Sequence, residues 1–340
     1  MVDLRSLELH EMEALMLRLG QPKFRAKQIF QWIYKGISDF DAMKNIPKIL
    51  RELLAQHCSI GTVQPLEIQK SKKDGTRKYL FQLPDGNTIE SVFMQYKYGN
   101  SICVSSQAGC RMGCKFCAST RNGLSRNLTP GEMVSQLLEA ERDTGEKIGH
   151  IVVMGTGEPF DNYENVAAFL RIVNDQNGLN IGMRNITVST CGLVPVMEQF
   201  AADFPQVNLA ISLHGTTDAI RGSMMPINHR YPLEMLLAAS KAYTEKTGRR
   251  ITFEYTLVNG VNDRDEDAER LCRLLHGMLC HVNLIPLNRV EGAGFDTVSR
   301  KRAAEFQEIL EHRGIAATVR RELGADIDAA CGQLRLGKQQ

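Results

Sequence analysis

Three cysteines, Cys110, Cys114 and Cys117, fall within the eight residues CRMGCKFC. Thiolates are metal ligands, and three of them within one short loop point to a metal centre rather than to core packing. Zinc closes a structural site with four ligands, usually contributed as two separate pairs. No second C-x-x-C or H-x-H pair follows downstream. A four-iron cluster explains the count better. Three thiolates hold three irons, and the fourth keeps an open position that a substrate can fill. Gly109 and Gly113 free the backbone to wrap such a cluster, and Phe116 stands ready to shield it from water.

Other residues with chemical potential lie further off. Cys103 stands seven residues before Cys110, and Cys331 sits near the C-terminus in DIDAACGQL. Read alone, Cys103 is a buried strand residue, Cys331 an inert tail thiol, and Glu90, in NTIESVFMQY, a surface strand carboxylate. Polar groups close several apolar runs: Gly157 and Glu158 in GTGEP, Ser189 in NITVS, Ser212, Leu213 and His214 in LAISLH, and Asn288 in VNLIPLN. Each has a plain reading as a turn glycine, a capping serine or a satisfied polar group. Together they bring polar groups from several strand ends toward the cysteine cluster. Cys58, Cys191, Cys272 and Cys280 have no surrounding motif that asks for a thiol and are assigned to core packing.

The elements that must position these groups follow from periodicity. Residues 1–60 carry helical spacing, with Phe24, Phe30, Trp32 and Tyr34 gathered as a packed core or, alternatively, a stacking platform for bases. Residues 61–98 alternate around two Asp-Gly turns and predict two hairpins. Lys70, Lys72, Lys73, Arg77 and Lys78 surround the first turn, either as a solvated tip or as a phosphate-contacting patch. From 99 to 322 six apolar runs, SICVSS, HIVVMG, NITVST, VNLAISL, ITFEYTL and HVNLIPL, alternate with helical segments. That pattern predicts an α/β fold with a parallel sheet, a partial (βα)6 TIM-like barrel short of the eight units that close one. Thr129, Pro130 and Glu132 mark a capped helix start after the cysteine loop. Residues 323–340 form a tail rich in small residues.

Of the 340 residues, 43% are apolar and 24% charged; 41 Lys and Arg face 39 Asp and Glu, for a net charge of +2. A nucleic-acid partner would have to be held by local patches, among which Arg111, Lys115, Arg121 and Arg126 surround the cysteine loop. The N-terminus, with Asp3, Glu8, Glu11 and Glu13, reads as an amphipathic helix and not as a signal peptide. No window is apolar enough for a membrane span. Nine cysteines without a secretory signal imply a reducing, cytoplasmic compartment.

The C-x-x-x-C-x-x-C spacing, with an aromatic residue before the last cysteine, resembles the radical S-adenosylmethionine enzymes. CVSSQAGC, MGTGEP, STCGLVP, ISLH, MPIN, VNLIPLN and GADIDAACGQL occur in order, and together the chain resembles the RlmN family from about residue 7 to 336. Thr156 and Cys191 depart from the residues common in that family. The resemblance implies a radical S-adenosylmethionine partial barrel with an N-terminal helical plus hairpin accessory domain. It implies a [4Fe–4S] cluster on Cys110, Cys114 and Cys117, whose open iron takes the amino and carboxylate groups of S-adenosylmethionine. The activity implied is methylation of adenosine carbon-2 in 23S rRNA and tRNA, using two molecules of S-adenosylmethionine per turnover.

Carbon-2 of adenine lies between two ring nitrogens and is too electron-poor to attack a methyl sulfonium, which is why such chemistry needs a radical and a carrier. By resemblance, Cys331 accepts the methyl group, Glu90 removes the carbon-2 proton, and Cys103 forms a transient disulfide with Cys331 that frees the product. Gly157, Glu158, Ser189, Ser212, Leu213, His214 and Asn288 match the positions that bind S-adenosylmethionine. The target base must be unstacked to reach a buried centre. An electron donor such as flavodoxin, and a monomeric state, complete the expectation. Two rivals remain. A Cfr-type carbon-8 methyltransferase shares the cluster and both cysteines, but tends to have Ala after GE where this chain has Pro159. A non-catalytic iron–sulfur RNA-binding or redox-sensing protein would leave the strand-end polar groups and the Cys103–Cys331 pair without a purpose.

Overall fold

The computed structural model describes residues 1–288, 294–321, 323–329 and 332–333. Cys331 lies outside the described residues. The strands are β1 (Val2–Asp3), β2 (Cys58–Ser59), β3 (Gln64–Lys70), β4 (Arg77–Gln82), β5 (Thr88–Tyr96), β6 (Gly99–Cys103), β7 (Gln107–Gly109), β8 (Leu124–Asn127), β9 (His150–Val153), β10 (Ile186–Thr190), β11 (Asn208–Ser212), β12 (Ile251–Leu257), β13 (Cys280–Pro286) and β14 (Ala317–Val319). The helices are α1 (Leu9–Arg18), α2 (Phe24–Ile33), α3 (Lys48–His57), α4 (Pro130–Thr144), α5 (Tyr163–Asn174), α6 (Val194–Asp203), α7 (Asp218–Met224), α8 (Leu233–Thr247), α9 (Asp265–Leu275) and α10 (Arg300–His312).

Ten strands form one open sheet in the order β14-β13-β12-β11-β10-β9-β6-β5-β4-β3. From β6 to β14 every pairing is parallel. The six apolar runs are the six strands β6, β9, β10, β11, β12 and β13. A seventh, β14, extends the parallel edge after α10; with three residues it is too short to announce itself by alternation. No pairing joins β14 back to the other end, so among the described residues the barrel is incomplete.

The two expected hairpins are arms of a longer meander. β3, β4, β5 and β6 pair antiparallel in sequence order, so β5 joins the accessory strands to the barrel sheet without a break. Both Asp-Gly signals sit where expected, with Gly75 at φ 73° and Gly86 at φ 87°.

The cysteine loop is pinned at both ends. β7 pairs antiparallel with β8, Gln107 opposite Asn127 and Ala108 opposite Arg126. Gly109 adopts φ 81°, and a β-carbon there would fall 2.0 Å from the Gly123 carbonyl oxygen. Only glycine allows that approach, which also lets the Cys110 N–H donate to Gly123 O at 2.9 Å. Gly113 likewise has φ 72°.

α4 begins as expected. Thr129 accepts from the Glu132 N–H, and Glu132 accepts from the Thr129 N–H. The helix is buried along most of its length because the sheet covers one side and the N-terminal segment the other. Phe30 and Tyr34 are packed in the core, whereas Phe24 is 58% exposed and Trp32 half-buried. The aromatic group is therefore half core and half surface. No described helix is long and apolar enough to cross a membrane.

Candidate active site

One pocket opens at the C-terminal ends of the parallel strands. Cys110, Cys114 and Cys117 line it. Gly157 and Glu158 after β9, Ser189 on β10, Ser212 and His214 at β11, and Asn288 after β13 line it with them. Parallel strands end on one face of the sheet, so residues scattered over 130 positions meet there. Leu213 is the exception among these polar-run residues. Its side chain is buried in the core, and its N–H donates to Glu254 O at 3.0 Å.

The thiols fit a cluster. Cys110 and Cys114 are buried and Cys117 half-buried. Burial, with added repulsion between neighbouring thiolates, pushes the Cys110 thiol up to about 12 and that of Cys114 well above its ordinary value. Cys110 and Cys114 therefore stay protonated until a cation is bound, because coordination deprotonates a thiol outright. Among the described residues no three His, Cys, Asp or Glu side chains converge on a position for a single ion. That geometry suits a multi-iron cluster, whose ligands attach to separate irons, better than zinc. Phe116 packs edge-on against the His214 ring, centroids 4.9 Å apart, and closes the loop over the pocket.

His214 is wholly buried at φ 53°, and its Nδ1 accepts the Thr256 N–H at 2.9 Å. The proton therefore sits on Nε2. Burial holds the imidazole down to about 3, so it is neutral at ordinary pH.

Glu158 is 3% exposed, and burial raises its carboxyl. Oε1 accepts the Phe160 N–H at 3.0 Å and Oε2 the Cys191 N–H at 2.7 Å. A carboxylate has lone pairs left over for an ammonium. Gly157, at φ 113°, is required by packing: a β-carbon would fall 2.6 Å from Gln107 Cβ.

Sequence reasoning missed the fasteners. Gln107 Oε1 accepts the Glu158 N–H at 2.8 Å, and its Nε2 donates to Asn127 and Asp161. Ser105 donates to Glu90 O at 2.6 Å and accepts the Thr156 N–H at 2.8 Å. The SSQ within CVSSQAGC thus ties the cysteine strand to the GTGEP turn. Glu254 and Arg320 also line the pocket. Glu254 was detectable as the lone carboxylate in the apolar run ITFEYTL. Cys191, assigned to core packing, lies on the pocket wall; it packs beside Cys114. Cys58 and Cys272 are core residues, while Cys280 is half-buried.

Glu90 and Cys103 are not on this wall. They lie on neighbouring strands β5 and β6, where Cys103 is buried with Val92, Met94 and Ala329. Glu90 is 8% exposed, with Lys78 Nζ at 3.7 Å. Lys78 also donates to Asp328 O at 3.3 Å. The Ala118 N–H donates to Gly332 O at 2.8 Å, which brings that residue of the C-terminal tail onto the cysteine loop. Of the basic residues, Arg111 pairs with Asp161 and Arg126 with Asp85 and Glu132, while Lys115 and Arg121 are exposed. Arg77 and Lys70, of the basic group around the first turn, pair with Asp143.

Residues 104–272 match the radical SAM superfamily, and residues 2–60 match the ribosomal RNA large subunit methyltransferase N-terminal domain. Two similar proteins are the probable dual-specificity RNA methyltransferases RlmN of Alkaliphilus oremlandii and Clostridium perfringens. They are 53% and 54% identical, each over 98% of this chain and 97% of its own length. The crystal structure of a radical SAM methyltransferase from Sphaerobacter thermophilus superimposes with a TM-score of 0.94 at 48% identity, over 98% of this chain and 99% of that one.

Proposed function

The chain belongs to the RlmN family of radical S-adenosylmethionine dual-specificity RNA methyltransferases, and from that premise we propose how its residues divide the reaction. Its cofactors are a [4Fe–4S] cluster and S-adenosylmethionine. The substrate position is carbon-2 of an adenosine in 23S rRNA or tRNA. Cys110, Cys114 and Cys117 hold the cluster. When bound, it supplies the electron that cleaves a carbon–sulfur bond of S-adenosylmethionine. Glu158 faces the methionine ammonium, and Ser189, Ser212, His214 and Asn288 orient the carboxylate and ribose.

Cys331 carries the methyl group as a thioether. After giving a hydrogen atom to the 5′-deoxyadenosyl radical that a second S-adenosylmethionine would supply, its methylene carbon bonds to carbon-2 of the base. Glu90 takes the carbon-2 proton, with the Lys78 ammonium beside it. The Cys103 sulfur then attacks the Cys331 sulfur. The sulfur–carbon bond breaks with its electron pair going to the methylene carbon, which takes up the proton released by the Cys103 thiol to complete the methyl group, and the methylated base leaves. The one unpaired electron of the adduct would return to the cluster, and a disulfide remains for reduction. Protein monomers, fed by a flavodoxin-type donor, complete the reading.

The observation that carries this proposal is the meeting of three thiols with five strand-end polar residues around one pocket. Contacts of the tail support it: Gly332 is bonded to the cysteine loop, and Ala329 packs against Cys103. Anaerobic turnover on ribosomal RNA fragments tests it, with nucleosides read by mass spectrometry. Wild type yields 2-methyladenosine, and Cys331→Ala yields no methylated base. An 8-methyladenosine product would replace the carbon-2 assignment with the Cfr-type one. Failure to form 5′-deoxyadenosine would favour a sensor.

A further inference from the structure

Arg221, on α7, is 0% exposed. A guanidinium keeps its charge under all ordinary conditions, and a buried charge is costly unless an anion answers it. Here the immediate partners are neutral. One terminal nitrogen donates to Cys191 O at 2.7 Å and Ser212 O at 3.4 Å. The other donates to Asn228 Oδ1 at 3.0 Å and Tyr231 O at 3.4 Å, and Nε has no partner. Among the described residues no carboxylate lies within ion-pair distance of Arg221. Asp218, the nearest acid on its own helix, accepts instead from the Leu233 N–H and the Asn228 amide, both at 2.9 Å.

The position of this unanswered cation is specific. Met224, at the end of α7, accepts the Lys115 N–H at 2.9 Å, which bolts the helix to the cysteine loop. Met224 and Met225 pack in one cluster with Cys114 and Cys191. Gly215 makes room for the arginine: a β-carbon there would fall 2.7 Å from the Arg221 backbone nitrogen.

We propose that Arg221 is the buried counter-charge of the iron–sulfur cluster and raises its reduction potential. A four-iron cluster on three thiolates is anionic, and reduction adds one more negative charge. A fixed cation in a low-dielectric wall favours the reduced form over the oxidised one. The guanidinium thereby makes the one-electron reduction easier while the cluster offsets the cost of burying it. The inference rests on the reading of Cys110, Cys114 and Cys117 as ligands.

The competing role is mechanical, since the same nitrogens clamp carbonyls after β10 and at the end of β11. Redox titration followed by electron paramagnetic resonance separates the two. The proteins are wild type, Arg221→Lys, Arg221→Gln and Arg221→Met, each reconstituted anaerobically. The neutral replacements shift the reduction equilibrium at least tenfold against the reduced form, about 59 mV more negative. Arg221→Lys, which keeps the charge, stays within threefold of wild type. Equal potentials in the Lys, Gln and Met variants would overturn the proposal. If the neutral variants lose the cluster while Arg221→Lys retains it, the charge is needed for assembly and the proposal stands. If all three variants lose it, the clamp is what matters and the proposal falls. A wild type with no four-iron signal would refute the ligand reading itself, and this inference with it.

Discussion

His214 shows how burial turns a titratable residue into a fixed one. Its ordinary pKa is 6.5, and burial lowers it to about 3. Below 6.5 the unfolded chain takes up a proton that the folded chain refuses. Stability is therefore full above 6.5 and is lost as pH falls toward about 3, with a slope approaching ~1.4 kcal/mol per unit. Urea titrations of the cluster-free protein at pH 7.5, 6 and 5 should show this loss, and His214→Gln should flatten it. An unchanged slope in the variant would mean that His214 is protonated in the fold. At this scale the sequence was legible wherever chemistry demands a residue type in a tight pattern, as in the cysteine triad. It was not legible where a residue acts through a partner distant in the chain. Cys191 looked like core packing because its N–H and its thiol both meet Glu158, a residue 33 positions away that no local motif links to it.

Between elements, the site is held by side chains that cross from one strand end to the next. Gln107, fully buried, bridges β7, β8 and the turn after β9 with three hydrogen bonds. Gln107→Ala leaves the buried Glu158 N–H without its acceptor, at a cost of about 1–3 kcal/mol. S-adenosylmethionine binding to reconstituted protein, measured by calorimetry, should weaken about tenfold while the iron content stays that of wild type. Unchanged affinity would show that the turn holds itself. Long elements were legible here: the six parallel strands by apolar runs, and α4 by its capping box. β7 and β8, which pin the cysteine loop, were not, because three or four residues carry no period. Both Asp-Gly turns could be read, but the third turn, at Tyr96–Gly99, carries no such dipeptide. The continuity of the meander into the barrel was hidden with it.

Across the whole molecule, the accessory segment and the barrel share one core. A single buried cluster runs from Leu4 and Phe30 through Val134 and Leu137 to Phe253 and Leu310. Arg5 joins the two parts. It is 1% exposed, and it donates to Ser135 Oγ on α4 at 3.0 Å and to Ile37 O at 2.9 Å. Asp3 beside it accepts the Gly61 N–H at 2.8 Å, and Ser6 Oγ accepts the Gly131 N–H at 3.0 Å. A helix sandwiched this way cannot keep its outer face dry if the N-terminal segment lifts off, so lifting and melting are coupled. The segment before residue 60 is therefore expected to melt together with the barrel and not apart from it. Scanning calorimetry of the cluster-free protein should give one transition. Arg5→Ala leaves a buried hydroxyl and a carbonyl without their donor, a loss on the order of 1–3 kcal/mol. It should lower that single transition by a few degrees while keeping it single. A separate early transition for the N-terminal residues, with the main one unmoved, would show instead that the accessory segment folds and melts by itself.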